Sequence, residues 1–166
     1  MTPPELLKDA FTRVVESVDE VVDGLSEDQL AARPRPDANS IAWLVWHLAR
    51  VQDDHVAEVA GTEQVWTSQG YADRFALPFD VTATGYGHTS EEVGRVRASG
   101  DLLASYARSV HDRTVAFLER VGEADLDRVV DERWDPPVTL GVRLVSVVND
   151  DTQHVGQAAY VRGLLD

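Results

Sequence analysis

The chain has 166 residues, enough for one domain that buries about 68–70% of its unfolded surface and needs no covalent staples. It contains no cysteine, which excludes disulfides, thiolate metal ligands and a nucleophilic thiol, so any metal must be held by His, Asp, Glu or water. A formal net charge of −14 with no local basic stripe argues against nucleic-acid binding, and no stretch approaches the roughly 18 apolar residues of a membrane span.

Thr2-Pro3-Pro4-Glu5 predicts the start of a first helix, a hydroxyl cap followed by prolines where helical N–H groups are unpaired anyway. Leu7, Phe11, Val14, Val18 and Val21 recur at helical spacing until Gly24 ends the run. Ser26-Glu27-Asp28-Gln29 is a capping box for a short helical turn, and the two prolines within 32–38 make that stretch a linker. Asn39 or Ser40 caps a second helix over 41–59, closed by Gly61.

Residues 61–87 are expected to form one long irregular connection rich in Gly, Pro, Thr and aromatics, and connections of that length usually serve function. Thr89-Ser90-Glu91-Glu92 is a further capping box, and Ser99 caps a third long helix over 101–121. Residues 123–138 read as an extended acidic connection ending in Pro136-Pro137, after which Thr139 caps a final helix over 140–164. No segment sustains period-two alternation and no internal repeat is present. The expected fold is all-α: a single four-helix-bundle domain over 1–166 with long irregular connections.

The opening residues lack a basic segment followed by an apolar run, so a cytoplasmic address is expected. Lys8 is the sole lysine beside fourteen arginines, a skew that suggests a high-GC genome.

Two segments carry candidate chemistry. On the second helix, His47 shares its stripe with Leu44, Val51 and Asp54, which puts an imidazole among apolar neighbours. On the final helix, Asp150 and His154 stand i, i+4 and can chelate one ion, with Asp151, at i, i+3, as the geometric rival. Taken singly, His47 fits a hydrogen-bonded core histidine, and Asp150–His154 fits a carboxylate–imidazolium pair. Together, two imidazoles and a carboxylate on facing helices make a facial set with open coordination positions. Asp54 is a candidate to orient a ligand or assist proton transfer, with Tyr160 as an alternative. His55, rotated about 80° from His47, is expected at the bundle edge. His111 is expected in or near the core and His88 in a solvated loop. Trp66, Tyr71, Phe75, Phe79 and Tyr86 crowd the 61–87 connection, where a pocket lid would sit; a packed satellite cluster is the alternative. Arg74, there, and Arg162 are candidates for contact with an anionic ligand.

The segment Ser40-Ile-Ala-Trp-Leu-Val-Trp-His47-Leu-Ala-Arg-Val-Gln-Asp-Asp54-His, with the later Asp150-Asp-Thr-Gln-His154-Val-Gly-Gln157-Ala-Ala-Tyr-Val-Arg162-Gly, resembles the DinB-like superfamily, most of all its branch of actinobacterial mycothiol-dependent enzymes. The resemblance spans nearly the whole chain. It implies a metal-binding four-helix bundle with His47, Asp150 and His154 as ligands, although many relatives carry His or Glu at the position of Asp150. It also implies a metal-dependent transferase that joins a low-molecular-weight thiol, mycothiol or a similar one, to an electrophilic small molecule. Trp66, Tyr71 and Arg74 would then shape the thiol and substrate site. Zinc is the expected ion, with nickel, iron and manganese as alternatives, and the expected state is monomer or homodimer. Alternative readings are a metal-dependent hydrolase or isomerase on the same site and a non-enzymatic metal-binding bundle.

Overall fold

The computed structural model describes residues 1–165. Four long helices make the frame: α1 (Pro3–Val22), α3 (Ile41–Ala60), α7 (Gly100–Leu118) and α8 (Leu140–Arg162). Shorter helices α2 (Glu27–Ala31), α4 (Val65–Ser68), α5 (Tyr71–Phe75) and α6 (Ser90–Gly94) lie in the connections. The helix starts follow from the predicted caps. Thr2, Ser26 and Thr89 each form a reciprocal capping box, and Ser40, Ser99 and Thr139 each accept a backbone N–H from the first turn. Gly61 closes α3 in the left-handed conformation.

Around the bundle the order is α1, α7, α3, α8, with each helix packed on its neighbours in that ring. Consecutive pairs α1–α3 and α7–α8 therefore sit on diagonals, so their connections must cross an end of the bundle. α3 is the most enclosed of the four: every residue from Ile41 to Arg50 is buried, the pattern of a helix covered on all sides.

The covering on the outer side of α3 comes from the 61–87 connection, and here expectation and structure differ. Instead of one irregular loop, the segment forms α4 and α5 and folds Trp66, Tyr71 and Phe75 inward against Trp46 and Tyr106. A buried polar cluster fastens it. The Asp53 carboxylate accepts the N–H groups of Val65 and Trp66 at 2.8 and 2.7 Å, capping α4, and also the Tyr106 hydroxyl at 2.9 Å. Arg50, fully buried, donates to the Ala83 carbonyl and to Gln64 Oε1, and its Nη1 lies 3.8 Å from Asp53.

The second difference lies in 123–138. A 3-10 turn over Glu123–Asp127 leads into a small antiparallel pair, β1 (Val129–Asp131) with β2 (Val138–Thr139). Strands of three and two residues are too short for alternation to show in sequence. α7 ends at Leu118, three residues earlier than expected, and α8 at Arg162. No helix among the described residues is long and apolar enough to cross a membrane.

Removing Arg50 strips hydrogen bonds from Ala83 and Gln64 and leaves the Asp53 carboxylate without its cation. Arg50→Met is expected to lower unfolding stability in urea by about 3 kcal/mol. A midpoint equal to that of the parent would show that the cluster contributes nothing net.

Candidate metal centre

α3 presents His47 toward α8, where Asp150 and His154 stand one turn apart. One donor atom from each of the three lies within 4.8 Å of the others, and the two imidazole centroids are 4.7 Å apart. In both rings Nδ1 already has a partner. His47 Nδ1 is 2.5 Å from the Thr84 carbonyl, and His154 Nδ1 is 2.8 Å from the Asp150 carbonyl. A carbonyl only accepts, so Nδ1 carries the hydrogen in each ring and Nε2 is left with a bare lone pair. Asp150 Oδ2 is buried without a hydrogen-bond partner. It lies 3.2 Å from His154 Nδ1, but that N–H is committed to the backbone. Two imidazole lone pairs and an orphaned carboxylate oxygen are the donors a divalent ion of zinc-like softness takes, so the residues fit such an ion.

The electrostatics separate the three groups. Burial pushes the His47 imidazole down, against the opposing pull of its Thr84 bond, and favours the neutral ring. For His154 burial acts the same way, yet its contacts with Asp150 outweigh it and raise the ring above its ordinary value. Burial would lift Asp150, but the His154 partnership holds it below the usual carboxylate range.

Asp151 behaves otherwise. It is completely buried, neither carboxylate oxygen has a partner, and burial with the neighbouring Asp150 charge drives it well above the carboxylate range. The apolar stripe of α8 with Val147, Val155 and Ala158 is therefore the stripe of Asp151. Asp150 and His154 flank that stripe, half-buried, and Asp150 lines the adjoining cavity. One step of 100° along the helix separates the carboxylate that stands with the two imidazoles from the one turned into the core.

The ring of His47 is gripped from two sides. Trp43 stacks on it with centroids 4.5 Å apart, and the Thr84–Gly85 backbone closes over its Nδ1 edge. Gly85 has φ +93°, and a Cβ there would lie 2.8 Å from His47 Nδ1 and 2.9 Å from Trp46. Only glycine lets the chain come this close. Arg50 holds the adjoining Ala83 carbonyl at 3.1 Å, so the buried cluster of the fold also sets the carbonyl that orients the imidazole.

His47 and Asp150 line a cavity of about 650 Å³. Asp54 and His55 line it from α3, Thr84 and Tyr86 from the connection, and Arg133 and Trp134 from the turn between β1 and β2. Asp54 accepts a 2.7 Å bond from Gln64 at Oδ1. His55, expected at the bundle edge, faces this cavity and lies 2.9 Å from Arg143. Sequence reasoning missed Arg133 and Trp134. The available signal was a tryptophan between two charged residues in a short proline-flanked segment.

Other expected site residues lie elsewhere, which corrects the pocket-lid picture. Trp66 is buried against Trp46, Phe75 and Tyr106 and lines a separate cavity under the connection. Tyr71 is buried with its hydroxyl bonded to Ser105 and Ser109, and Arg74 covers its ring. These three are fixed by aromatic packing in the connection, so the metal cavity has no contact from them. Tyr160 is 70% exposed and lines a different cavity beside Pro34 and Asn39. It sits ten residues beyond Asp150 on another face of α8 and does not line the cavity of His47 and Asp150. Arg162 ties the end of α8 to the Val21 and Asp23 carbonyls. His88 is not solvated: it accepts from Trp43 Nε1 and packs on Trp46 and Phe79. His111 bonds Thr12, joining α7 to α1.

Fold and centre define a DinB-like four-helix bundle with a His–Asp–His set between two of its helices. The family model described as Mycothiol-S-transferase matches residues 6–166, and the chain belongs to that family. The crystal structure of the conserved protein of locus from Enterococcus faecalis is similar at a TM-score of 0.93, with 32% identity over 99% of this chain and 98% of that one. No curated protein matches.

Elemental analysis of protein purified without added metal checks the ligand set. Parent and Asp151→Asn are expected to carry a divalent ion, while His47→Ala and His154→Ala fall to background and Asp150→Asn is strongly depleted. Asp151→Asn losing metal while Asp150→Asn keeps it would reverse the assignment. Acidification gives a second check. His154 holds its proton more tightly than an ordinary imidazole, so protons compete with the ion from a higher pH than they would at an unperturbed histidine. Titration calorimetry should find affinity falling as pH is lowered, with the fall beginning at higher pH in the parent than in Asp150→Asn, which lacks the charge that raises His154.

Proposed function

We propose that this protein is a metal-dependent thiol S-transferase, with a low-molecular-weight thiol of the mycothiol type as nucleophile and an electrophilic small molecule as acceptor. The observation that carries this reading is the convergence of His47, Asp150 and His154, two of which, His47 and Asp150, line an open cavity. Family membership points the same way. Three protein donors leave positions for an incoming ligand, whereas structural zinc sites use four. Since the chain has no cysteine, the attacking sulfur comes from a co-substrate.

A divalent ion held there, zinc in this reading, supplies Lewis acidity that brings a thiol with an ordinary pKa of about 8.5 to thiolate at neutral pH. The residues of the chain do the remainder. His47 and His154 offer Nε2 because their Nδ1 hydrogens are engaged. Asp150 brings one negative charge into the set. Asp54 is bonded to Gln64 through Oδ1 alone, which leaves Oδ2 to accept the proton released by the thiol. Reduced thiols of this kind are a cytoplasmic resource, so the reading places the protein in the cytoplasm, as a monomer or homodimer acting on small molecules.

Thiol-dependent consumption of an electrophile should vanish on chelation and return when zinc is added. Activity indifferent to chelation removes the proposal, and metal-dependent turnover that proceeds without any thiol transfers the site to the hydrolase reading. Asp54→Asn should keep its metal and lose about 10²-fold in kcat.

A further inference from the structure

His55 lines the same cavity as His47 and Asp150, yet neither the metal centre nor the proton transfer to Asp54 uses it. It stands eight residues after His47 on α3, two turns and about 12 Å of rise further along that wall.

Arg143 of α8 fixes the ring: its Nη1 lies 2.9 Å from His55 Nδ1. A guanidinium only donates, so Nδ1 accepts and the ring hydrogen is on Nε2. His47 and His154 are the reverse, with hydrogen on Nδ1 and a bare Nε2. His55 therefore offers the cavity an N–H where the other two rings offer lone pairs. No protein group among the described residues accepts that hydrogen, and Nε2 is not sealed in the core. Arg143 is itself buried and held at three points, since it also donates to Glu58 at 2.7 Å and to Asp131 at 3.2 Å.

The charges around the ring are matched. Burial and the Arg143 charge push the imidazole down, against the pull of Asp54, Glu58 and Asp150. A divalent ion on the His–Asp–His set would add positive charge on the cavity side and favour the neutral ring further. Arg133 and Arg143 face Asp131 and Glu58, and that ion would face Asp150 and Asp54. A neutral donor among paired charges is suited to an uncharged acceptor, as with a neutral histidine that polarises a carbonyl.

We propose that His55, fixed as the Nε2–H tautomer by Arg143, selects the electrophile by donating to an uncharged acceptor oxygen on it, that of a ketone, ester or amide. This rests on the thiol-transferase reading, which puts the sulfur at the metal end of the cavity. The reacting carbon then lies within about 3.5 Å of that sulfur, so the oxygen recognised by His55 belongs to a substituent several bonds away. A site with such a donor disfavours analogues that leave it unpaired.

Nitrogen NMR of the imidazoles in the zinc-loaded protein tests this, with His55→Phe supplying the assignment and the comparison. His55 is expected to show a protonated Nε2 and a bare Nδ1, and to stay neutral at about pH 6.5, where an ordinary imidazole is half protonated. Hydrogen on Nδ1, or an imidazolium at that pH, would overturn the proposal. 4-Methylacetophenone keeps a carbonyl and has no leaving group. It should move the His55 Nε2 signal and bind His55→Phe about fivefold more weakly, while toluene binds both proteins equally. Ketone affinity untouched by the substitution, or toluene weakened as much as the ketone, would also overturn it. Metal content and unfolding midpoint verify the variant; should either fail, the tautomer and the response of Nε2 to the ketone in the parent decide. Recognition of the ketone as expected, with no electrophile consumed in the presence of mycothiol, would instead sink the transferase reading and leave the donor standing.

Discussion

The contact between α3 and α8 carries the rest of this molecule. It brings a buried imidazole from one helix against a carboxylate and a second imidazole from the other, at a place where an apolar seam would have been more stable. Asp150 Oδ2 is left without a partner there, and Asp151 is buried beside it with none at either oxygen. Removing a charge from water without compensation costs several kcal/mol. For Asp151, burial and the neighbouring Asp150 charge raise the carboxyl well above its usual range and so favour the neutral form. Asp150, whose contact with His154 holds it below the usual carboxylate range, stands with both imidazoles in a geometry that could hold a cation. A cation bound to the folded state alone also adds stability that grows with the logarithm of its concentration over its dissociation constant.

The connections do as much for the centre as the four long helices. With α1 and α3, and likewise α7 and α8, on diagonals of the ring, the chain needs long crossings, and each crossing supplies a wall. The one between α3 and α7 wraps α3, and through Asp53, Arg50 and the Ala83–Thr84 backbone it fixes which nitrogen of His47 is free. The one between α7 and α8 ends in a hairpin that Arg143 fastens above the cavity.

What could be read from sequence was what local chemistry determines. Hydroxyl caps at Thr2, Ser26, Ser40, Thr89, Ser99 and Thr139 mark helix starts because they satisfy N–H groups within three residues. The candidate ligands were legible because i, i+4 spacing and a helical stripe are properties of one segment. Side-chain direction within a connection was not. Composition shows that 61–87 is aromatic but not that Trp66 and Tyr71 turn inward while Tyr86 turns out, since that depends on Tyr106 and Trp46 from other helices. The choice between Asp150 and Asp151 needed the rotation of α8 about its own axis, which the packing of α1 and α3 sets. The β1–β2 pair was illegible because its strands are shorter than one period of evidence.

The most direct test of the centre is an anomalous difference map at the zinc edge, from crystals of the protein loaded with zinc. One peak within bonding distance of His47 Nε2, His154 Nε2 and an Asp150 carboxylate oxygen is the predicted result. A map with zinc bound only elsewhere, or with the two imidazoles turned away from a common ion, would contradict it.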